Sequence, residues 1–178
     1  MKKLLLLTSV LAWISGVSAE EKPKLIVGVV ISHFYPEWMD MYGNELSENG
    51  LKRVMKQGAR VNVNYNYFYT QTGVDHASIY TGMLPTEHGI VSRAWYDRLR
   101  RKRQYSTQSD RYTEIGDQQA DSIKSLSPDY LQTMSLGSAM KWNNPMSRVF
   151  SVAMNGDEAV LSGGSSADMA IWFSEKTG

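Results

Sequence analysis

The 178-residue sequence contains no cysteine. That excludes disulfide staples, thiolate metal ligands, a cysteine nucleophile and a lipidated cysteine at any N-terminal cleavage site. Charge of one sign is also lacking: 19 Lys and Arg against 18 Asp and Glu leave a net charge of +1. No global field draws the chain to nucleic acid or to a membrane surface. Long apolar runs are missing too. The only candidate, Leu4 to Ile14, is shorter than the ~20 residues that span a bilayer. There are no internal repeats and no low-complexity tract, and histidine is scarce, with three copies.

What is present begins with an export signal. Lys2 and Lys3 precede the short apolar stretch, and Val17-Ser18-Ala19 forms a small-residue cleavage site before Glu20. This pattern predicts a signal peptide over residues 1–19. The expected location is periplasmic or secreted, with no membrane attachment after cleavage. The mature chain would hold 178 − 19 = 159 residues, enough for one domain with a core of its own.

Periodicity predicts an α/β chain. Lys24 to Ile31 (KLIVGVVI) is a β-branched apolar run of the kind buried on both faces of a parallel sheet. Short helices are expected at Glu37–Tyr42 and at Leu51–Gln57. The second should turn Leu51, Val54 and Met55 to one face and stop at Gly58. Residues 59–67 alternate like a half-exposed strand. A helix that packs small residues should cover His76–Thr81, and strands are expected at Ile90–Tyr96, Arg148–Ala153 and Ala170–Phe173. Ser127-Pro128 reads as a helix start, with the helix running to Trp142 and Leu131, Met134 and Ala139 facing inward. The polar stretch 97–126 is expected to leave the main sheet as a hairpin and loop. Strands alternating with helices imply a parallel-rich sheet flanked by helices. An apolar strand so close to the C-terminus implies that the fold is C-terminally incomplete.

The densest segment is Thr70-Gln71-Thr72-Gly73-Val74-Asp75-His76-Ala77-Ser78-Ile79-Tyr80-Thr81-Gly82. A hydroxyl at a helix start has two readings. Unpaired N–H groups and the positive helix end favour a bound phosphate and an activated hydroxyl, which makes Thr72 a candidate nucleophile and Gly73 a candidate substrate contact. Spacing alone favours the simpler reading, in which Thr72 caps the helix.

This segment resembles the nucleophile motif of bacterial alkaline phosphatases related to type I phosphodiesterases and nucleotide pyrophosphatases. The resemblance continues through Pro85-Thr86-Glu87-His88-Gly89-Ile90 and Trp95-Tyr96-Asp97-Arg98. It returns at Ser127-Pro128 and at Gly163-Gly164, Ala167-Asp168, Trp172-Phe173 and Lys176-Thr177-Gly178. It implies the N-terminal part of an alkaline-phosphatase-like fold. It also implies a phosphorylated small-molecule substrate, two zinc ions, and Thr72 as both nucleophile and metal contact.

Three positions depart from the family. Ser32 stands where a zinc-ligand Asp is expected, and serine is a poor zinc ligand. His33 lies beside it and would substitute only if the strand end bends. Arg93 stands in place of a substrate-binding Asn and can hold a phosphate bidentately. Asn155-Gly156-Asp157 replaces a Lys-x-Arg pair, and its Asp repels a phosphoryl group. With most metal ligands lying beyond residue 178 in the family, little or no turnover is expected from this chain. The alternative is a pseudoenzyme that binds a phosphorylated or sulfated ligand through Arg93. His76 and His88 are expected to be structural. The basic run Arg98–Arg103 is expected to be a solvated hairpin, and the Asn-Tyr alternation at 64–67 to be ordinary strand packing.

Overall fold

The computed structural model describes residues 23–112, 114–115 and 125–173. The signal-peptide expectation and part of the 97–126 excursion lie outside the described residues. The chain divides into two compact units, residues 1–62 and residues 63–178.

In the first unit, α1 (Pro36–Met41) opens with Pro36 at its first position, where the missing N–H costs nothing. Helix α2 (Leu51–Gln57) ends at Gly58, whose N–H donates to the Val54 carbonyl at 2.8 Å. The expected helices and the Gly58 stop are therefore present. On the shared face of α2, Val54 and Met55 are exposed. The run 24–31 also differs from expectation. It joins no sheet among the described residues, and Leu25, Val27 and Val29 are exposed. A strand exists only through its ladder partners, and none is present for this run among the described residues. At its end Ser32 and His33 form an exposed turn, with His33 at φ 57°. The chain thus bends at the point where His33 would have to leave the strand direction.

The second unit contains α3 (Thr72–Thr81), α4 (Pro85–His88), β1 (Ala94–Asp97), β2 (Lys102–Tyr105), α5 (Leu136–Asn143), β3 (Phe150–Ala153), α6 (Gly156–Gly163) and β4 (Met169–Trp172). Residues 59–67 form no strand. Strands β1 and β2 make an antiparallel hairpin with Trp95 opposite Gln104. The excursion thus begins as the expected hairpin, and an isolated bridge between Gln108 and Leu126 closes it. The basic turn is solvated. Asp97 accepts from the Leu99 and Arg100 N–H groups, which hold its carboxyl below the usual range.

Strands β3 and β4 are parallel, in register Phe150–Met169 to Ala153–Trp172, with α6 as the crossover. This is the βαβ unit that apolar strands on either side of a helix predict. Only one face of the pair is covered. Ala170 and Trp172 pack on the core, while Phe150, Val152, Met169 and Ile171 are exposed.

The core is small and lies between α3 and α6. Val74, Ala77, Ile90, Val160 and Leu161 are buried, with Tyr67, Leu126, Tyr130, Leu131, Ala170 and Trp172 packed around them. Small residues let the two helices approach. A Cβ on Gly73 would meet Leu161 Cδ1 at 3.4 Å. The helix expected from Ser127 starts later. Ser127 is buried, its N–H donates to the Thr107 carbonyl at 2.7 Å, and its hydroxyl takes the Asp129 N–H. That bonding competes with helix formation. The cap falls to Ser135, whose Oγ accepts the Ser138 N–H at 3.2 Å. The buried residues here are the cap Ser135 and, within α5, Ser138, whereas Met134 and Ala139 are exposed.

Candidate functional site

The N-terminus of α3 tests the capping reading of Thr72. The cap position belongs to Gln71, and Thr72 is the first helical residue. The Thr72 hydroxyl is exposed and has no hydrogen-bond partner among the described residues. It therefore does not cap the helix. The first satisfied N–H of the helix is that of Asp75, which donates to the Gln71 carbonyl at 2.8 Å. The N–H groups of Thr72, Gly73 and Val74 precede it, as the free donors of a helix start.

Arg93 is tied to this turn. Its N–H donates to Gln71 Oε1 at 2.7 Å, and the Ser92 hydroxyl donates to the same oxygen at 3.3 Å. Gln71 Nε2 in turn donates to the Tyr69 hydroxyl at 2.8 Å. The amide of Gln71 thus fastens residues 92–93 to the residue that precedes Thr72. The Arg93 side chain is 75% exposed, and its Nε lies 3.4 Å from Asp157 Oδ2. Asp157 sits in the first turn of α6, and its other oxygen accepts from the Thr107 hydroxyl.

The Arg93 backbone is thus tied to the residue before Thr72, and its guanidinium to Asp157 in the first turn of α6. Ser32 and His33 belong to the other unit. Of Asn155-Gly156-Asp157, Asn155 is the residue before α6, and its side-chain amide donates to Glu158 Oε1 at 2.8 Å. Gly156 is buried, and a Cβ there would run into Leu126 and Trp172. The backbone here leaves no space for a side chain between the two polar positions.

Two participants escaped the sequence reading, Gln71 and Thr107. Both are ordinary polar residues in the linear sequence. Their role comes from contacts spanning 22 and 50 residues, and no local pattern announces such contacts.

His76 and His88 make the hydrogen bonds expected of structural residues, whereas His33 lies in the exposed turn at 32–33. His88 is fully buried, and its Nδ1 accepts the Ile90 N–H at 3.1 Å. That bond fixes the proton on Nε2, which donates to Ser78 Oγ at 2.9 Å. The Tyr67 hydroxyl donates to Asp75 Oδ1 at 2.8 Å. Burial and the neighbouring Asp75 push the Tyr67 phenol up to about 12. His76 Nδ1 meets Ser162 Oγ at 2.9 Å, which links α3 to α6. Burial lowers both imidazoles below their ordinary value, against the opposing pull of Glu158 and Asp75 on His76 and of Glu87 on His88.

The donor set around Thr72 does not make a complete metal centre. Asp75 is engaged by Tyr67, and Asp157 by Thr107 and Arg93. Among the described residues no group of three or more His, Asp or Glu side chains is placed to hold a metal ion. No helix among them is long and apolar enough to cross a membrane.

Comparison with known proteins places this geometry. Over residues 26–175 the chain matches the model of the type I phosphodiesterase / nucleotide pyrophosphatase family. It is 32% identical over 166 residues to the alkaline phosphatase PafA of Elizabethkingia meningoseptica, covering 90% of this chain and 30% of that protein. It is 28% identical over 159 residues to the alkaline phosphatase PhoV of Synechococcus elongatus, covering 88% of this chain and 28% of that one. The crystal structure of wild-type PafA superposes with a TM-score of 0.82 at 30% identity, over 90% of this chain and 31% of PafA. The chain therefore spans about a third of the length of the relatives it matches, and its fold is that of the corresponding part of an alkaline phosphatase. The protein belongs to the type I phosphodiesterase / nucleotide pyrophosphatase family.

Proposed function

We propose that this chain carries the nucleophile-bearing part of an exported phosphoester hydrolase site, with Thr72 as the phosphoryl acceptor, and that by itself it turns over little or no substrate. The observation that carries the proposal is the exposed, unpartnered Thr72 hydroxyl at the first position of α3, beside an arginine anchored through Gln71. The free N–H groups of the α3 start and the Arg93 guanidinium are placed to hold phosphoryl oxygens. The substrate is a phosphorylated small molecule. Monoesters, diesters and nucleotides all present the phosphorus that Thr72 requires.

Family resemblance implies two zinc ions, with Thr72 and the Ser32 position as contacts and His33 as a substitute. The residues present do not fit such a pair. Serine supplies a weak neutral ligand where a carboxylate is wanted, and the acidic side chains flanking Thr72 are already engaged. This misfit supports the expectation of negligible turnover.

The test is phosphatase and phosphodiesterase activity with added zinc, for the chain and for Thr72→Ala. Zinc-dependent turnover lost in the variant would establish Thr72 as nucleophile and refute the inactivity. No turnover in either, from folded protein, supports the inactivity. Export is checked by the N-terminus of protein recovered outside the cytoplasm, expected at Glu20.

A second reading is a binding protein without turnover, because the Asp157 carboxylate beside Arg93 opposes the charge that builds up on a transferring phosphoryl group. Arg93→Asn separates the two. It weakens phosphate or sulfate binding in a binding protein, whereas a hydrolase keeps or gains rate.

A further inference from the structure

We propose that the tip of the β1–β2 hairpin is a docking site for a membrane surface rich in anionic phospholipid. The net charge of +1 over the whole chain conceals a local concentration. Arg98, Arg100, Arg101, Lys102 and Arg103 are crowded around the turn, and every residue from 98 to 103 is exposed. Arg100 is held by Asp97, 3.7 Å away, and by the Tyr130 hydroxyl, 3.3 Å away. Arg98, Arg101 and Arg103 pair with no carboxylate among the described residues.

Solvated charge alone is what many exposed hairpin edges carry. Three further observations point to a lipid. Leu99 stands among these charges, in the turn that joins the strands, at 97% exposure. The hairpin register sets Tyr96 opposite Arg103 and Ala94 opposite Tyr105, so both tyrosines and Arg103 share one face. That face is the outer one: Tyr96 and Tyr105 are exposed, whereas Gln104 on the opposite face is buried. The Arg103 guanidinium lies over the Tyr105 ring, 5.2 Å from its centroid. Lastly, Arg101 holds φ 52°, a left-handed position that glycine or asparagine ordinarily fills. An exposed arginine there gains no packing to offset that strain.

An anionic bilayer uses all of these features together. Unpaired arginines are drawn to lipid phosphates. A leucine enters the acyl boundary, and tyrosines, apolar in body and polar at the tip, settle at headgroup level. A soluble acidic polymer would use the charges and leave Leu99 without a partner. Each basic residue brought to such a surface strengthens binding by roughly fivefold. The contact is peripheral and reversible, unlike attachment through an apolar span. Thr72 plays no part in it.

The test is flotation of the full chain with two kinds of vesicle, phosphatidylcholine alone and phosphatidylcholine with roughly one third phosphatidylglycerol. All variants keep the same N-terminal apolar stretch, so differences between them report the hairpin. Arg101→Gly removes a cation while suiting the left-handed backbone. Its unfolding midpoint should be unchanged or raised, while its affinity for anionic vesicles falls roughly fivefold. Arg98→Gln/Arg101→Gly should lose roughly thirtyfold. Leu99→Ser should lose vesicle affinity severalfold and bind heparin, a soluble polyanion, as the parent does. Circular dichroism confirms each fold. A parent chain that does not prefer the anionic vesicles overturns the proposal, as does a preference that none of these variants reduces. Leu99→Ser binding vesicles as well as the parent would mean that the turn takes an acidic polymer. Displacement by millimolar inorganic phosphate at fixed ionic strength would mean that it takes free phosphate. Either result also overturns it.

Discussion

The two buried imidazoles predict a specific pH dependence of stability. His76 and His88 are buried, and burial lowers the pKa of each below the ordinary 6.5. The folded state therefore binds these protons less readily than the unfolded chain. Above pH 6.5 both states leave the imidazoles neutral and no penalty arises. Below it the unfolded chain takes up protons that the folded chain refuses, and stability falls. Each imidazole contributes a limiting slope of ~1.4 kcal/mol per pH unit, so the pair approaches ~2.7 kcal/mol per unit. The slope ends where pH passes the lowered folded-state values.

Geometry explains why protonation is resisted. The Nδ1 of His88 is occupied as an acceptor by the Ile90 N–H at 3.1 Å, so a second proton must break that bond inside the core. Chemical denaturation followed by tryptophan fluorescence, between pH 7.5 and 5.5, measures the effect. The window lies well above the 3.8 of an ordinary Asp, so the carboxylates contribute little to it. The double variant His76→Asn/His88→Gln should be less stable at pH 7.5 and should lose most of the slope. A flat profile in the parent chain, or an unchanged slope in the variant, would refute the tautomer and burial argument.

Other substitutions test separate links. Thr72→Ala removes an exposed hydroxyl without partners, so its unfolding midpoint should shift by less than about 0.5 kcal/mol, and a larger loss would mean that the hydroxyl is structural. Gln71→Leu deletes the acceptor of two bonds and should cost about 1–3 kcal/mol by denaturation, with weaker phosphate binding as Arg93 loses its anchor. Gly164 adopts φ 74°, and a Cβ there would collide with Ser135. Gly164→Ala should therefore destabilise by more than the ~1–2 kcal/mol of left-handed strain, and a neutral result would contradict that backbone. Asp168 is held well below the usual carboxylate range by the Val149 N–H, Lys141 and Arg148. Its contribution is present at neutral pH and lost as pH falls below the ordinary Asp value, so Asp168→Asn should flatten the acid limb of unfolding.

Sequence carried the local elements well where a local cause exists. Gly58 ends α2 because it lies where the helix pattern stops, and the apolar strands flanking α6 pair in parallel because a helix separates them. It failed where a distant partner decides. The run 24–31 has the composition of a central strand and no ladder among the described residues. Ser127-Pro128 has the chemistry of a helix start, yet Ser127 is claimed by Thr107 from 20 residues away. The site shows the same division. Thr72 and Gly73 stood out as a hydroxyl and a glycine at a helix start, whereas Arg93 was singled out only by the family resemblance. The connection that brings them together, the Gln71 amide, has no sequence signature.

That division bears on how the altered positions should be read together. Taken one at a time, Arg93 adds a positive charge at this position and Asp157 a negative one. The 3.4 Å pair shows that they are one change. Together they leave the local charge balanced. An arginine alone in this position would attract any anion, inorganic phosphate and sulfate included. With Asp157 fixed by Thr107, the guanidinium keeps its directional donors while its non-specific pull is reduced. Reversing either member alone should leave the fold intact, because neither side chain lies in the core between α3 and α6.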